Sequence, residues 1–427
     1  MATTNVVGSP GEVSPSLPVS TTMMMLSLSA LLVCCAVYAV EWAWWRPRRQ
    51  GRVLRSQGVG GTTYCSLAGD APLSERLERV ARSRPLPLGC HDVVPRAMPL
   101  FYQTVKQHGK TSITWFGPVP RVTITKPQLV REVLSNKLGH FGKLKLGRLQ
   151  RRLHNGVGSH EGEKWAKHRR IINPAFHQEK LKNALRTGKA ACDDLLGLLL
   201  ESNMEHCKGN GGDSGTGITT DDLIGECKLF YVAGMETTSV LLTWTMVVLC
   251  MHPEWQERAR DEVIHAFGDR TPEYDGLSRL RIVTMVLYEV LRLYTPLTAL
   301  HRRTETSTEL GGVRYPAGVV LTLPLLCVHH DKDVWGPDAD EFRPERFAEG
   351  VFRASRDAPA FFPFGWGPRT CLAQNFALLE AKMGISMILQ RFVIELSPAY
   401  SHAPVSVGLL KPEHGAQVRL KRLPRAS

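Results

Sequence analysis

The 427-residue sequence predicts a mainly α, single-domain protein with small β-sheets, preceded by one N-terminal transmembrane helix. Three observations carry this. Residues 23–40 form an uncharged apolar run, extended past Glu41 by Trp42, Trp44 and Trp45; that length spans a bilayer, and tryptophan suits its interface. A second apolar stretch, 220–251, has a capped start at Thr219, Thr220 and Asp222 and stops at Pro253. It predicts a helix roughly 45 Å long. Strand-like alternation is confined to short patches at 112–125, 300–323 and 393–423, and no internal repeat is visible.

Composition narrows the classes. With 43% hydrophobic and 22% charged residues the chain is globular. The net charge of +13 is compatible with nucleic acid, an anionic membrane or an acidic protein. No zinc-finger spacing or run of five basic residues is present, so nucleic acid is excluded as a partner. Ten cysteines without a C-x-x-C pair speak against a disulfide scaffold or structural zinc and for a reduced, cytosol-facing body.

In chain order, 1–22 reads as a polar lumenal tail and 23–45 as the anchor. Arg46, Arg48, Arg49 and Arg52 follow, so the positive-inside rule places the remainder in the cytosol. Those basic residues lie on the wrong side of the apolar run for a cleaved signal peptide. Residues 46–99 read as a basic, proline-rich linker and domain start, loop-like over 51–71 and stiffened by Pro85, Pro87, Pro95 and Pro99. The body occupies 100–427. A strand region at 112–125 precedes a short helix at 128–136. A helix within 161–176 then carries Trp165 and Arg169 four apart on one face and is closed by Pro174. An ordinary amphipathic helix with a surface arginine explains that pair equally well.

The middle of the 220–251 helix reads A-G-M-E-T-T. Gly234 there costs up to about 1 kcal/mol against alanine, which buys room for a bulky neighbour. Thr237 and Thr238 can bond back to carbonyls and locally open the helix; small packing residues are the plain alternative. Glu289 and Arg292 share a face of a helix over 281–294, with Arg346 downstream in R-P-E-R-F; alone, such a pair is a solvated i,i+3 ion pair. His301, His329 and His330 lack a third placed ligand and are not read as a metal site.

The organising stretch is 361–374, F-F-P-F-G-W-G-P-R-T-C-L-A-Q, with a helix predicted over 372–392. A cysteine at a helix N-terminus beside Arg369 is placed to be a thiolate. It could act as nucleophile, redox thiol or metal ligand, or be a small buried cysteine beside a turn.

The F-x-x-G-x-R-x-C spacing resembles the haem-binding loop of the haem-thiolate monooxygenases, the cytochrome P-450 superfamily. Ala373 stands where that family has glycine. E-G-E-K-W-A-K-H-R-R, V-A-G-M-E-T-T and N-F-A-L-L-E-A-K-M are similar to the plant clan that includes secologanin synthase. The resemblance implies haem b (iron protoporphyrin IX) bound through Cys371, with Phe364, Gly365 and Arg369 in the haem loop. It implies Trp165, Arg169 and Arg302 on the propionates, and Thr237 with Glu236 handling protons during dioxygen activation. Glu289, Arg292 and Arg346 become a structural lock. It further implies a reductase passing on NADPH electrons, an endoplasmic-reticulum membrane and a hydrophobic, terpenoid- or hormone-like substrate. One departure is large: near 183–195 the chain passes too quickly toward the long helix to hold the family's lid helices, so it reads as internally shortened. A truncated, non-catalytic form lacking a complete substrate pocket and a haem-thiolate rearrangement enzyme are the alternatives.

Overall fold

The computed structural model describes residues 19–144, 147, 156–176, 195–209, 217–355 and 359–424. The expected shortening near 183–195 lies outside the described residues.

The N-terminal helix does not end where the apolar run does. Val19–Val40 continues through a π-helical turn, Glu41–Trp45, into a second helix, Arg46–Arg55. Residues 46–55, expected to begin a linker, are therefore helical. Their pattern explains why: Pro47, Gln50, Gly51 and Leu54 form one buried face while the arginines ring the other. Gly51 packs against the Trp115 ring, where a Cβ would come within 3.0 Å, so the anchor's end is docked on the body. The region expected to be linker holds a further helix, Ala71–Arg82, supported by the i,i+4 pairs Glu75–Arg79 and Glu78–Arg82.

Strands Thr111–Phe116 and Val119–Ile124 form an antiparallel hairpin. They sit inside a six-stranded mixed sheet that runs Gly60–Gly61, Thr111–Phe116, Val119–Ile124, Val320–Leu323, Leu300–Thr304, Phe141–Gly142. Three two-stranded sheets complete the β structure, including Phe392–Leu396 paired with Val418–Arg422.

The helical core is built around Thr220–Met251, which packs on Ile282–Leu293 and Gln374–Leu389. Thr219 caps the long helix, its side chain accepting from the Asp222 N–H. Trp244, fully buried, stacks on Tyr294 at 4.4 Å between ring centroids. A smaller apolar cluster joins Ile171, Ile172, Leu199 and Leu223 across Gly162–Ile172, Leu195–Gly209 and the start of the long helix.

Candidate functional site

The cysteine loop is shaped by two glycines in the left-handed region, Gly365 at φ +75° and Gly367 at φ +72°. A Cβ on Gly367 would lie 2.9 Å from the Leu134 carbonyl oxygen, because the loop is pressed onto the end of helix Pro127–Ser135. The Phe364 carbonyl then closes the loop, accepting the Cys371 N–H at 2.7 Å and the Thr370 hydroxyl at 3.3 Å.

The thiol differs from the sequence expectation in two ways. Its helix is Gln374–Leu389, so Cys371 lies three residues ahead of it. The cation beside the sulfur is Arg169, not Arg369; the Arg169 guanidinium donates to the Thr370 carbonyl at 3.0 Å. Cys371 opens onto a cavity that protein encloses on most sides. That burial raises the thiol pKa, and the Ala373 N–H and Arg169 offset it only in part. Desolvation wins in the protein alone; a bound metal cation reverses the balance.

That cavity measures about 670 Å3 and is mostly apolar. Cys371, Phe364 and Gly365 line it together with Ala233, Gly234 and Thr237 of the long helix. Nothing lies within 4 Å of where a Gly234 Cβ would stand. The Thr237 hydroxyl bonds back to the Ala233 carbonyl at 2.7 Å, yet the helix stays continuous and is not opened there.

Glu236, the other half of the expected proton pair, does not line the cavity; its carboxylate accepts from Lys411 Nζ at 2.5 Å, since consecutive helical residues point about 100° apart. The acid joined to the cavity wall is Glu380, which hydrogen-bonds to Thr238 and whose pKa is raised by burial.

Basic side chains converge on the same cavity. Lys143, Arg302 and Arg369 line it. Arg369 pairs with Glu161 at 2.6 Å, donates to the His160 carbonyl at 2.9 Å, and lies over the Trp165 ring at 4.3 Å. Trp165 thus braces Arg369 and is not itself in the lining. Burial and the nearby Arg369 push Arg302 down to about 10. Burial, Arg369 and Arg302 push Lys143 down to about 8. Among the described residues Glu161 is the one acid acting on this group. A flat apolar group carrying two carboxylates, as protoporphyrin does, fits both the lining and the unbalanced charge.

The predicted trio beneath the loop is assembled. Arg292 grips Glu289 bidentately at 2.7 and 2.8 Å, both fully buried, and Arg346 Nε lies 3.4 Å from Glu289 Oε1. Arg292 also donates to the His329 carbonyl at 2.8 Å, and His329 Nε2 accepts the Phe362 N–H at 2.9 Å. His329, set aside as a metal ligand, is therefore the link between this ionic cluster and the cysteine loop.

The cytochrome P450 family pattern matches residues 95–197 and 179–420. The chain belongs to the cytochrome P450 family. It is 44% identical to cytochrome P450 CYP72A616 of Paris polyphylla, across 93% of this chain and 99% of that one. It is 38% identical both to 11-oxo-beta-amyrin 30-oxidase of Glycyrrhiza uralensis (94% and 97% covered) and to 7-deoxyloganic acid hydroxylase of Catharanthus roseus (91% and 96%). It is a plant-type P450, and its class of chemistry is monooxygenation. The two pattern matches share residues 179–197, so the family pattern crosses that span twice. The Paris alignment has 511 positions, and 93% of 427 is about 397 residues, leaving about 114 positions without a residue from this chain.

Proposed function

We propose that this chain is a membrane-anchored haem-thiolate monooxygenase that takes NADPH electrons through a reductase and oxidises an apolar, terpenoid-like substrate. One observation carries it: Cys371 and the Ala233–Thr238 segment line one apolar cavity into which Lys143, Arg302 and Arg369 also project. The substrate class is supported by relatives named for a triterpene oxidation and an iridoid-acid hydroxylation.

Iron protoporphyrin IX, bound there, would supply activation of dioxygen. Cys371 Sγ is the iron ligand, held in position by the Phe364 carbonyl. Lys143, Arg302 and Arg369 receive the two carboxylates, and Arg169 fixes the Thr370 carbonyl beside the sulfur. Thr237 presents its hydroxyl to the cavity. Burial raises the Glu380 pKa and Thr238 offsets it only in part, so Glu380 holds a proton closer to neutrality than an ordinary glutamate and connects cavity to solvent. The apolar walls exclude bulk water. Glu289, Arg292 and Arg346 support the loop without touching the cavity. The helix Met23–Arg55 is long and apolar enough to cross a membrane; with arginines following its apolar run, the body lies on the cytosolic face of the endoplasmic-reticulum membrane, where its basic surface meets an acidic reductase.

A second reading has its own observation. Tyr231, Val232 and Met235 of the long helix are 70%, 40% and 50% exposed, and about 114 aligned positions have no counterpart. A chain lacking the lid would bind haem and hold substrate poorly. A reduced carbon-monoxide difference spectrum tests the haem site: a thiolate-type Soret band is expected and should vanish in Cys371→Ala. A band that persists in the variant refutes the ligand assignment, and haem-free protein refutes both readings. Product formed from terpenoid acids with added reductase then separates the catalytic form from the lidless one.

A further inference from the structure

A second cluster of ligand-type side chains lies away from the cavity, where the turn before Gly162–Ile172 meets the first turns of Thr220–Met251. One ligand atom each from His160, His168 and Asp222 lies within 4.8 Å of the others. The His160 and His168 rings meet edge to face at 4.6 Å. His168 and Glu226 are almost fully buried.

The hydrogen bonding leaves this cluster unbalanced. His168 Nδ1 lies 2.7 Å from Glu226 Oε1, and Glu226 Oε1 also accepts the Val157 N–H at 2.7 Å. With Nδ1 committed to Glu226, His168 Nε2 is the ring atom left for a further partner. It faces Asp222 Oδ2 at 3.7 Å, beyond hydrogen-bond distance. Lys164 occupies the other oxygen, Asp222 Oδ1, at 2.8 Å. His160 Nε2 is enclosed and has no hydrogen-bond partner, and neither has Glu226 Oε2.

We propose that His160, His168 and Asp222 bind one divalent transition-metal ion of the zinc class, with Glu226 orienting His168 from behind. Two imidazoles and a carboxylate are a zinc-type donor set that leaves one position for water. A buried carboxylate receiving the other N–H of a ligating histidine is the arrangement that fixes tautomer and ring orientation in such sites. The cation bridges the gap between His168 Nε2 and Asp222 Oδ2 and uses the orphaned His160 nitrogen. Closure asks for about an ångström of movement, since tetrahedral ligands on zinc stand roughly 3.3 Å apart. The ion would tie the start of the long helix to the turn whose His160 carbonyl holds Arg369, and so join this site to the cavity.

The test is a zinc titration of the full-length chain in detergent by calorimetry, repeated with cobalt(II) followed by absorption. Expected are one ion per chain and a cobalt spectrum with ligand-field bands and no thiolate charge-transfer band. Affinity should fall at least about tenfold in His160→Ala and in Asp222→Asn, while the metal-free far-UV circular dichroism of His160→Ala stays unchanged. Zinc should also raise the thermal midpoint of the parent and not of His160→Ala. Equal affinity in parent and His160→Ala, or a thiolate band, would assign the metal to cysteines and overturn the proposal. So would the absence of saturable binding.

Discussion

Lys143 offers a measurable consequence of crowding cations around one cavity. Its ammonium donates to the Gly158 carbonyl, but burial, Arg369 and Arg302 lower its pKa from 10.5 to about 8. A depressed lysine pKa is a folding penalty while both states are charged, and the penalty disappears once the folded state alone gives up its proton. The folded chain loses that proton near pH 8 and the unfolded chain near pH 10.5. Between these values the unfolded state binds more protons, so stability rises with pH. The difference between 10.5 and about 8 corresponds to about 3 kcal/mol. Lys143→Met removes the penalty together with one hydrogen bond worth about 1 kcal/mol. The haem-free variant should therefore be more stable than the parent by about 2 kcal/mol at pH 7. That advantage should disappear toward pH 10.5. Urea unfolding of both proteins in detergent at several pH values measures the gap, and other titrating groups cancel in the difference. A gap that stays constant between pH 7.5 and 10 would refute the argument. With haem bound, carboxylates beside Lys143 should restore its pKa and flatten the difference.

Further outcomes follow from the same geometry. Glu289→Gln strands the fully buried Arg292 and should destabilise the chain by about 3–5 kcal/mol, read as a large loss of thermal midpoint. Gly367→Ala combines φ +72° with a 2.9 Å approach to Leu134. It should cost about 2 kcal/mol or more and lower haem occupancy, measured by the haem-to-protein absorbance ratio. Glu380→Gln should slow product formation by about tenfold or more. Glu236→Gln, altering a surface pair with Lys411, should leave turnover within about twofold; equal losses in both would put Glu236 back in the proton route. His329→Leu removes the acceptor of the Phe362 N–H and should cost about 1–3 kcal/mol, seen in urea unfolding.

The parts of the site legible in the sequence are those whose members stand at short, patterned spacing. Cys371 announces itself through Phe364, Gly367 and Arg369 within eight residues, and Glu289 with Arg292 through a three-residue interval. The long helix was legible from its cap and its proline stop, and the fold class from the scarcity of strand alternation. Lys143, His329 and Glu380 were not legible as site residues. Each takes its role from a partner distant in sequence: Lys143 from Arg302 and Arg369, His329 from Phe362, Glu380 from Thr238. No local pattern encodes those meetings. Glu236 shows the converse: adjacency to Thr237 in sequence is divergence on a helix, and its carboxylate meets Lys411 instead of the cavity. The Arg46–Arg55 helix was missed because a basic, glycine-containing run reads as a linker until Trp115 supplies the surface that Gly51 needs.

The unbroken path from Met23 to Arg55 has a mechanical consequence. Its 33 residues make a shaft about 50 Å long, clamped to the body where Leu54 is buried and where Tyr64 donates to the Ala43 carbonyl at 2.6 Å. A flexible stalk would let the body roll freely over the lipid surface. A clamped shaft allows no such swivel: any tilt forced on it by a thinner or thicker bilayer turns the whole body by a similar angle. If the shaft crosses a bilayer as proposed, bilayer thickness would set the angle at which the body stands against the lipid.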